Sequence, residues 1–118
     1  MDILVKKNEL ENNKNQWTDE TIEYIWKHYP NAVPIYVDTK VELKKKKWIM
    51  WKDYTLGQAI MLIRKGMNIK ETEAVFCEID KKIYTNNKTV KWIYDQVNPK
   101  DKVLILKISL ENAFGADY

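Results

Sequence analysis

A helical pattern of hydrophobic residues begins after Thr18 and ends before Pro30. The apolar positions fall at the i, i+3, i+4 and i+7 spacing of a single helical face: Ile22, Ile25, Trp26 and Tyr29. Thr18 is a suitable N-cap, and a proline prevents the helix from continuing beyond the residue that precedes it. The preceding segment, 8–16, is polar and Asn-rich, which predicts a flexible or loosely helical arm.

The pattern then changes to one that is typical of strands. Segments 33–39 and 47–52 are rich in β-branched and aromatic residues and lie close enough in sequence to form a hairpin. Pro34 lacks a backbone donor, so we expect it near a strand end or a free edge. Alternation in the second strand predicts two faces, with Trp48 and Met50 on one and Ile49 and Trp51 on the other.

The second half of the chain predicts two more helices and two more strands. Thr55 and Gln58 form a capping box, and Gly66 marks the end of the helix that follows. Its predicted buried stripe consists of Leu56, Ala59, Ile60, Ile63 and Met67. A strand at 74–79, a helix from Thr89 to Asn98 and a strand at 103–108 come next. The last strand is nearly continuous in aliphatic residues, as expected for one buried on both faces.

This order of elements predicts an α+β fold. A hairpin crossed by a helix, with a final apolar strand at the centre, is the β-grasp arrangement of ubiquitin-like domains. We therefore expect a four-stranded mixed sheet crossed by helices, with an N-terminal helical extension. The predicted division is an arm and helix at 1–29, a β-grasp core at 30–110 and a flexible tail at 111–118.

Composition narrows the class of protein further. With 118 residues, 45% of them hydrophobic and 31% charged, the chain has the size and balance of one globular domain. A single cysteine and a single histidine exclude a disulfide framework and a Cys/His-rich zinc site. The N-terminus is too short and polar for a signal peptide, and no apolar run approaches the ~18 residues that span a bilayer, so we expect a cytoplasmic protein.

Candidate catalytic groups are scarce. His28 fits a cation at the end of a helix, and Cys77 alternates with apolar residues as a small core residue does. The sequence contains no Gly-rich phosphate loop, no H-E-x-x-H motif and no carboxylate pair with an obvious pocket. We expect no enzymatic activity, no cofactor and no metal.

Four sequence motifs carry a resemblance to a known family. They are Tyr29-Pro-Asn-Ala-Val-Pro34, Lys45-Lys-Lys-Trp-Ile-Met50, Thr55-Leu-Gly-Gln58 with Leu62-Ile-Arg-Lys65, and Glu111-Asn-Ala-Phe-Gly115. In this order and spacing, the chain resembles a divergent member of the autophagy ubiquitin-like modifier family, whose animal members include the GABA-receptor-associated protein. The resemblance runs from about Ile22 to Gly115.

The resemblance implies a cycle of processing and conjugation. A cysteine protease removes Ala116-Asp117-Tyr118, and activating and conjugating enzymes transfer the Gly115 carboxylate to phosphatidylethanolamine. Because glycine has no Cβ, the extended tail can enter a narrow enzyme channel, and Phe114 offers an apolar handle just before it. The lipidated protein is then expected on autophagosomal membranes, where it recruits cargo receptors.

The resemblance also implies a docking surface for short peptides, which add a strand beside the second strand and insert an aromatic and an aliphatic anchor into two pockets. The first pocket comprises Ile25, Pro34, Tyr36, Lys47, Ile49 and Val103. The second pocket comprises Trp48, Met50, Trp51, Tyr54, Ala59 and Leu62. Lys47 and Arg64 are candidate contacts for acidic residues that flank the peptide motif.

Three positions depart from the family pattern. Ala32 replaces a usual arginine, Ala59 replaces a large aromatic residue, and Trp51 replaces a proline. We expect the second pocket to be reshaped, with Trp51 filling the space that Ala59 leaves.

Two binding functions compete with this interpretation. A ubiquitin-like scaffold that is never conjugated would have the same fold without use of the glycine tail. A nucleic-acid module is another, because Lys44–Lys47 with Trp48, Trp51 and Lys52 could form a basic stripe with stacking aromatics. The net charge of +3 permits a nucleic-acid partner but does not require one, and we expect none.

Overall fold

The computed structural model describes residues 17–111, and the predicted order of helices and strands is confirmed there. The elements are α1 (Asp19–His28), β1 (Ala32–Thr39), β2 (Lys47–Trp51), α2 (Leu56–Arg64), β3 (Ala74–Glu78), α3 (Val90–Val97) and β4 (Leu104–Glu111). The predicted arm at 8–16 and residues 112–118 of the predicted tail lie outside the described part.

The four strands form a single mixed sheet in the order β2-β1-β4-β3. β1 pairs antiparallel with β2 and parallel with β4, and β3 pairs antiparallel with β4. The last strand therefore lies at the centre, and β2 and β3 form the two edges. This confirms the predicted α+β, β-grasp architecture. Only one face of β4 is buried, because Ile105 is 51% exposed on the other, so the prediction that this strand is buried on both faces is wrong.

The register of β1 explains how it accommodates a proline. Pro34 is opposite Ile49 of β2, whereas the parallel pairing with β4 begins only at Ile35. The hydrogen bonds Val37 N to Lys46 O (2.8 Å) and Lys52 N to Asn31 O (2.7 Å) bracket the hairpin. In the alternating antiparallel pattern, Pro34 then falls at a non-hydrogen-bonded pair and costs the β1–β2 ladder no donor. The expected position near a strand end is confirmed.

The main core lies on the side of the sheet that α2 and α3 cover. It includes Ile35 and Val37 of β1 and Leu104 and Leu106 of β4, all without exposed surface. The helices contribute Leu56, Ala59, Ile63, Val90 and Ile93. Of the stripe predicted for α2, Ile60 is only half-buried.

α1 covers the opposite face of the sheet with a narrower stripe than predicted. Thr21, Ile22 and Ile25 are its buried residues, whereas Trp26 is 46% exposed. The contact is centred on Ile25, and Trp26 points away from it toward Tyr94 of α3, at 6.1 Å between ring centroids. The prediction that Trp26 shares the buried face is therefore wrong.

No helix within residues 17–111 has the length and apolar character needed to span a bilayer.

The N-terminus of α2 provides a test of local stability. The Thr55 hydroxyl accepts a hydrogen bond from Gln58 N (3.1 Å), and the Gln58 side chain accepts one from Thr55 N (2.9 Å). Thr55→Ala removes the hydroxyl that accepts from Gln58 N, so we expect it to lower the free energy of unfolding by about 1 kcal/mol in urea titration. Thr55→Ser is the control and should retain most of it. Equal stability of Thr55→Ala and the parent chain would contradict the capping role.

Cys77 provides a test of core burial. Burial, with a smaller contribution from Glu78, raises the pKa of the Cys77 thiol from 9.0 to about 12. At pH 8 the folded protein should not react with iodoacetamide, whereas protein in guanidinium should react fully, as mass spectrometry would show. Rapid labelling of the native protein would contradict the buried position.

The same pKa shift links stability to pH. Because the pKa of Cys77 is higher in the folded than in the unfolded protein, its protonated thiol contributes fully to the free energy of unfolding below pH 9. This contribution is lost as pH rises from 9 to about 12. In Cys77→Val, urea titrations should no longer show this loss of unfolding free energy between pH 9 and about 12.

Candidate functional site

β2 forms an edge of the sheet, because β1 is its only neighbour within the described strands. The hydrogen bonds at Lys46 and Lys52 set the alternation, so Trp48 and Met50 bond to β1. The N–H and C=O groups of Lys47, Ile49 and Trp51 therefore point outward. These are the groups that an added strand would pair with.

The structure brings the residues of the first pocket together, but it buries most of them. Ile25, Ile49 and Val103 belong to one apolar cluster, in which Ile49 is only 7% exposed. Tyr36 packs against this cluster, and the register places Pro34 and Lys47 on the same face of the hairpin. The first pocket is thus an assembled apolar cluster with little free surface.

Burial also shifts the ionisation of the polar groups in the first pocket. Lys47 is buried, and desolvation lowers the pKa of its ammonium group. Burial raises the pKa of Tyr36, and the nearby Asp38 carboxylate raises it further. A carboxylate from a peptide beside Lys47 would favour the charged ammonium.

Trp17 is a residue of this site that sequence reasoning missed. It is 9% exposed and belongs to the same cluster as Ile25 and Ile49. Its indole Nε1 donates a hydrogen bond to the Ile35 carbonyl at 3.1 Å. The signal was present, since an aromatic residue just before the N-cap Thr18 is one half of a hydrophobic staple.

The second pocket is more open. Trp48, Tyr54 and Leu62 are half-buried and pack against the main core between β2 and α2. The Trp48 indole donates to Lys45 O at 2.6 Å, and the Lys45 ammonium lies 4.7 Å from its ring centroid. Met50 and Ala59 are fully buried beneath them. Trp48, Tyr54 and Leu62 thus form a partly exposed apolar surface over the buried Met50 and Ala59.

Trp51 does not lie with the rest of the second pocket. Strand alternation places it on the α1 side of β2, where its ring is 6.5 Å from that of Tyr29. The expectation that Trp51 fills space left by Ala59 is therefore wrong. Ala59 faces the main core, on the opposite side of the sheet.

Arg64 has a structural role that the sequence did not reveal. Its guanidinium donates hydrogen bonds to the carbonyls of Lys70 and Glu71, each at 3.0 Å. These bonds fasten the connection between α2 and β3. A contact with an acidic peptide would have to be added to them.

The basic run before β2 does not form one continuous charged stripe. Lys44 and Lys45 are exposed, whereas Lys47 is buried. The adjoining indoles lie on opposite faces of β2, Trp48 beneath Lys45 and Trp51 beside Tyr29. Successive nucleic-acid bases stack on a shared platform, and this arrangement does not provide one.

The candidate catalytic residues occupy structural positions. His28 lies in the last turn of α1, with its ring centroid 4.3 Å from that of Tyr24. Cys77 is buried in the main core with a thiol that stays protonated at neutral pH. Within residues 17–111, no group of three or more His, Cys, Asp or Glu side chains could hold a metal ion.

Comparison with known proteins agrees with this geometry. The chain is 28% identical over 93 residues to autophagy-related protein 8e of Arabidopsis thaliana, covering 75% of this chain and 76% of the relative. The crystal structure of Trypanosoma brucei ATG8 matches the fold with a TM-score of 0.72 at 21% identity, covering 98% of this chain and 100% of the other. The family model "Autophagy protein Atg8 ubiquitin like" matches residues 17–115. Because this match includes the whole sheet and continues to Gly115, the chain belongs to the Atg8 family of autophagy ubiquitin-like proteins.

Proposed function

We propose that the protein is an autophagy modifier that is processed after Gly115 and conjugated through that glycine to phosphatidylethanolamine. On the autophagosomal membrane it recruits cargo receptors that bind short linear motifs along β2; before lipidation it is cytoplasmic. The observation that carries this proposal is the open edge of β2, flanked by apolar residues on both faces.

The position of Gly115 suits conjugation. It follows Glu111, the last residue of β4, by four positions. A cysteine protease would cleave after it, and the carboxylate would be adenylated, carried as a thioester by the activating and conjugating enzymes, and joined to the lipid amine. The lipid brings two acyl chains, and two chains anchor a protein stably where one gives marginal binding.

The geometry of β2 constrains the peptide that it binds. Ile49 faces the α1 side of the sheet, whereas Trp48 and Met50 face the α2 side. Successive side chains of a bound strand point to opposite faces. In a peptide that reaches both pockets, the positions of the two anchors must therefore differ by an odd number, such as i and i+3. Two anchors and strand pairing, less the cost of ordering the peptide, correspond to micromolar affinity, about −8 kcal/mol.

Processing can be tested in cells that express the full chain. Gly115→Ala should prevent removal of Ala116-Asp117-Tyr118 and addition of phospholipid, because a Cβ obstructs the enzyme channels. Intact-mass spectrometry should show the trimmed, lipid-bearing mass only in the parent and in the control Ala113→Ser. If the parent chain always retains its tail and never partitions with membranes, the non-conjugating scaffold is the correct interpretation.

Peptide docking can be tested on the second pocket. Leu62→Ala removes a half-buried side chain of this pocket, whereas the adjacent Met61 is 62% exposed. Leu62→Ala should weaken binding of a labelled peptide about five- to thirtyfold, corresponding to about 1–2 kcal/mol of lost apolar contact. Met61→Ala should leave it unchanged, as measured by fluorescence anisotropy. Equal affinities of the two variants, with both folded, would contradict the assignment of the second pocket.

A further inference from the structure

We propose that Trp17 is an internal occupant of the first pocket and that a receptor motif with an aromatic anchor must displace it. This inference rests on the proposed docking function and concerns the regulation of that same site.

The first observation is the difference in exposure between the two pockets. In the second pocket, Trp48, Tyr54 and Leu62 keep part of their surface free. In the first pocket, by contrast, Ile25 and Ile49 are buried in the cluster that contains Trp17. The apolar surface that an incoming anchor would need is already covered by a side chain of the same protein.

The second observation is the chemistry of the occupant. An aromatic anchor in an apolar pocket needs apolar walls for its ring and a partner for any polar atom that it buries. Trp17 has both, because its ring lies among aliphatic side chains and its Nε1 donates to the Ile35 carbonyl. Ile35 lies in β1, opposite Trp48 of β2, so this hydrogen bond attaches the indole directly to the backbone of the β1–β2 hairpin. Trp17 thus makes the contacts that a peptide indole would make.

The third observation is where Trp17 lies in the chain. It precedes the N-cap of α1, whose Thr18 hydroxyl accepts from Thr21 N at 3.1 Å. Rotation about the Trp17 backbone would move the indole out and leave the cap intact. Ile22 and Ile25 would still hold the helix on the sheet. Displacement therefore does not require α1 to unfold.

A hydrophobic staple alone explains only part of this arrangement. In a staple, Trp17 at N′ packs against Ile22 at N4, and this pair is present in the cluster. The staple does not require the hydrogen bond to Ile35, which is 18 positions away. Nor does it require Trp17 to lie in the same cluster as Ile25 and Ile49 of the first pocket. An internal occupant at that position lowers the affinity for a competing anchor by the fraction of molecules in which the pocket is open.

The decisive experiment compares two tryptophan variants of the full chain with two probes. The first probe is a fluorescein-labelled synthetic peptide with acidic flanks, a Trp anchor and a Leu anchor three positions later. The second probe has Ala in place of Trp. Trp17→Ala should bind the first probe about tenfold or more tightly than the parent does, with no gain for the second. The matched control Trp26→Ala, which removes an exposed indole from the same part of the chain, should change neither affinity.

Two other results would overturn the inference. Weaker or unchanged binding of the first probe by Trp17→Ala would make Trp17 a permanent wall and overturn the inference, while peptide docking itself stands. Failure of the parent and of both variants to bind either probe would overturn the docking function, and the inference with it.

A second measurement avoids dependence on the stability of Trp17→Ala. In the parent chain labelled with 5-fluorotryptophan, the ¹⁹F resonance assigned through Trp17→Phe should move to an exposed environment when the unlabelled first probe is added. The Ala probe should not move it. A Trp17 resonance that stays at its buried position at saturating Trp peptide would overturn the inference.

Discussion

The parallel pairing of β4 with β1 is the constraint on which the rest of the structure depends. It joins the last strand to the first and aligns Ile35 with Leu104 at the centre of the main core. The same pairing brings Val103, just before β4, to the cluster beneath α1. Because β4 occupies the inner position, β2 is left at the edge of the sheet, where a further strand can pair.

The two faces of the β1–β2 hairpin differ in how much apolar side-chain surface they leave exposed to solvent. On the α2 side, the short Ala59 side chain is fully buried in the main core. Trp48, Tyr54 and Leu62 are half-buried and pack against this core. On the α1 side, Trp17 and Ile25 close over Ile49. The α2 side of the hairpin therefore keeps accessible apolar surface, whereas the α1 side is closed by the chain's own side chains.

Local signals in the sequence predicted the fold well, because the elements carry strong caps and regular alternation. The capping box at Thr55 and the inner position of β4 agree with the tertiary arrangement, although Ile105 on one face of β4 is exposed. The same signals separated the two faces of β2, with Trp48 and Met50 toward the main core. They were less informative about aromatic residues at the margins of an element, since a large ring there can lie against the core or along the surface.

The sequence by itself determined the order of elements, the faces of β2 and the family resemblance that leads to Gly115, because these depend on residue spacing along a short stretch of chain. Only the tertiary structure decided that Trp26 is exposed, that Trp51 lies beside Tyr29 and that Trp17 is buried in the cluster with Ile25 and Ile49. Each of these depends on how α1 lies across the sheet, which is a relation between distant segments. Periodicity within a segment carries no information about the partner that a side chain finds on another.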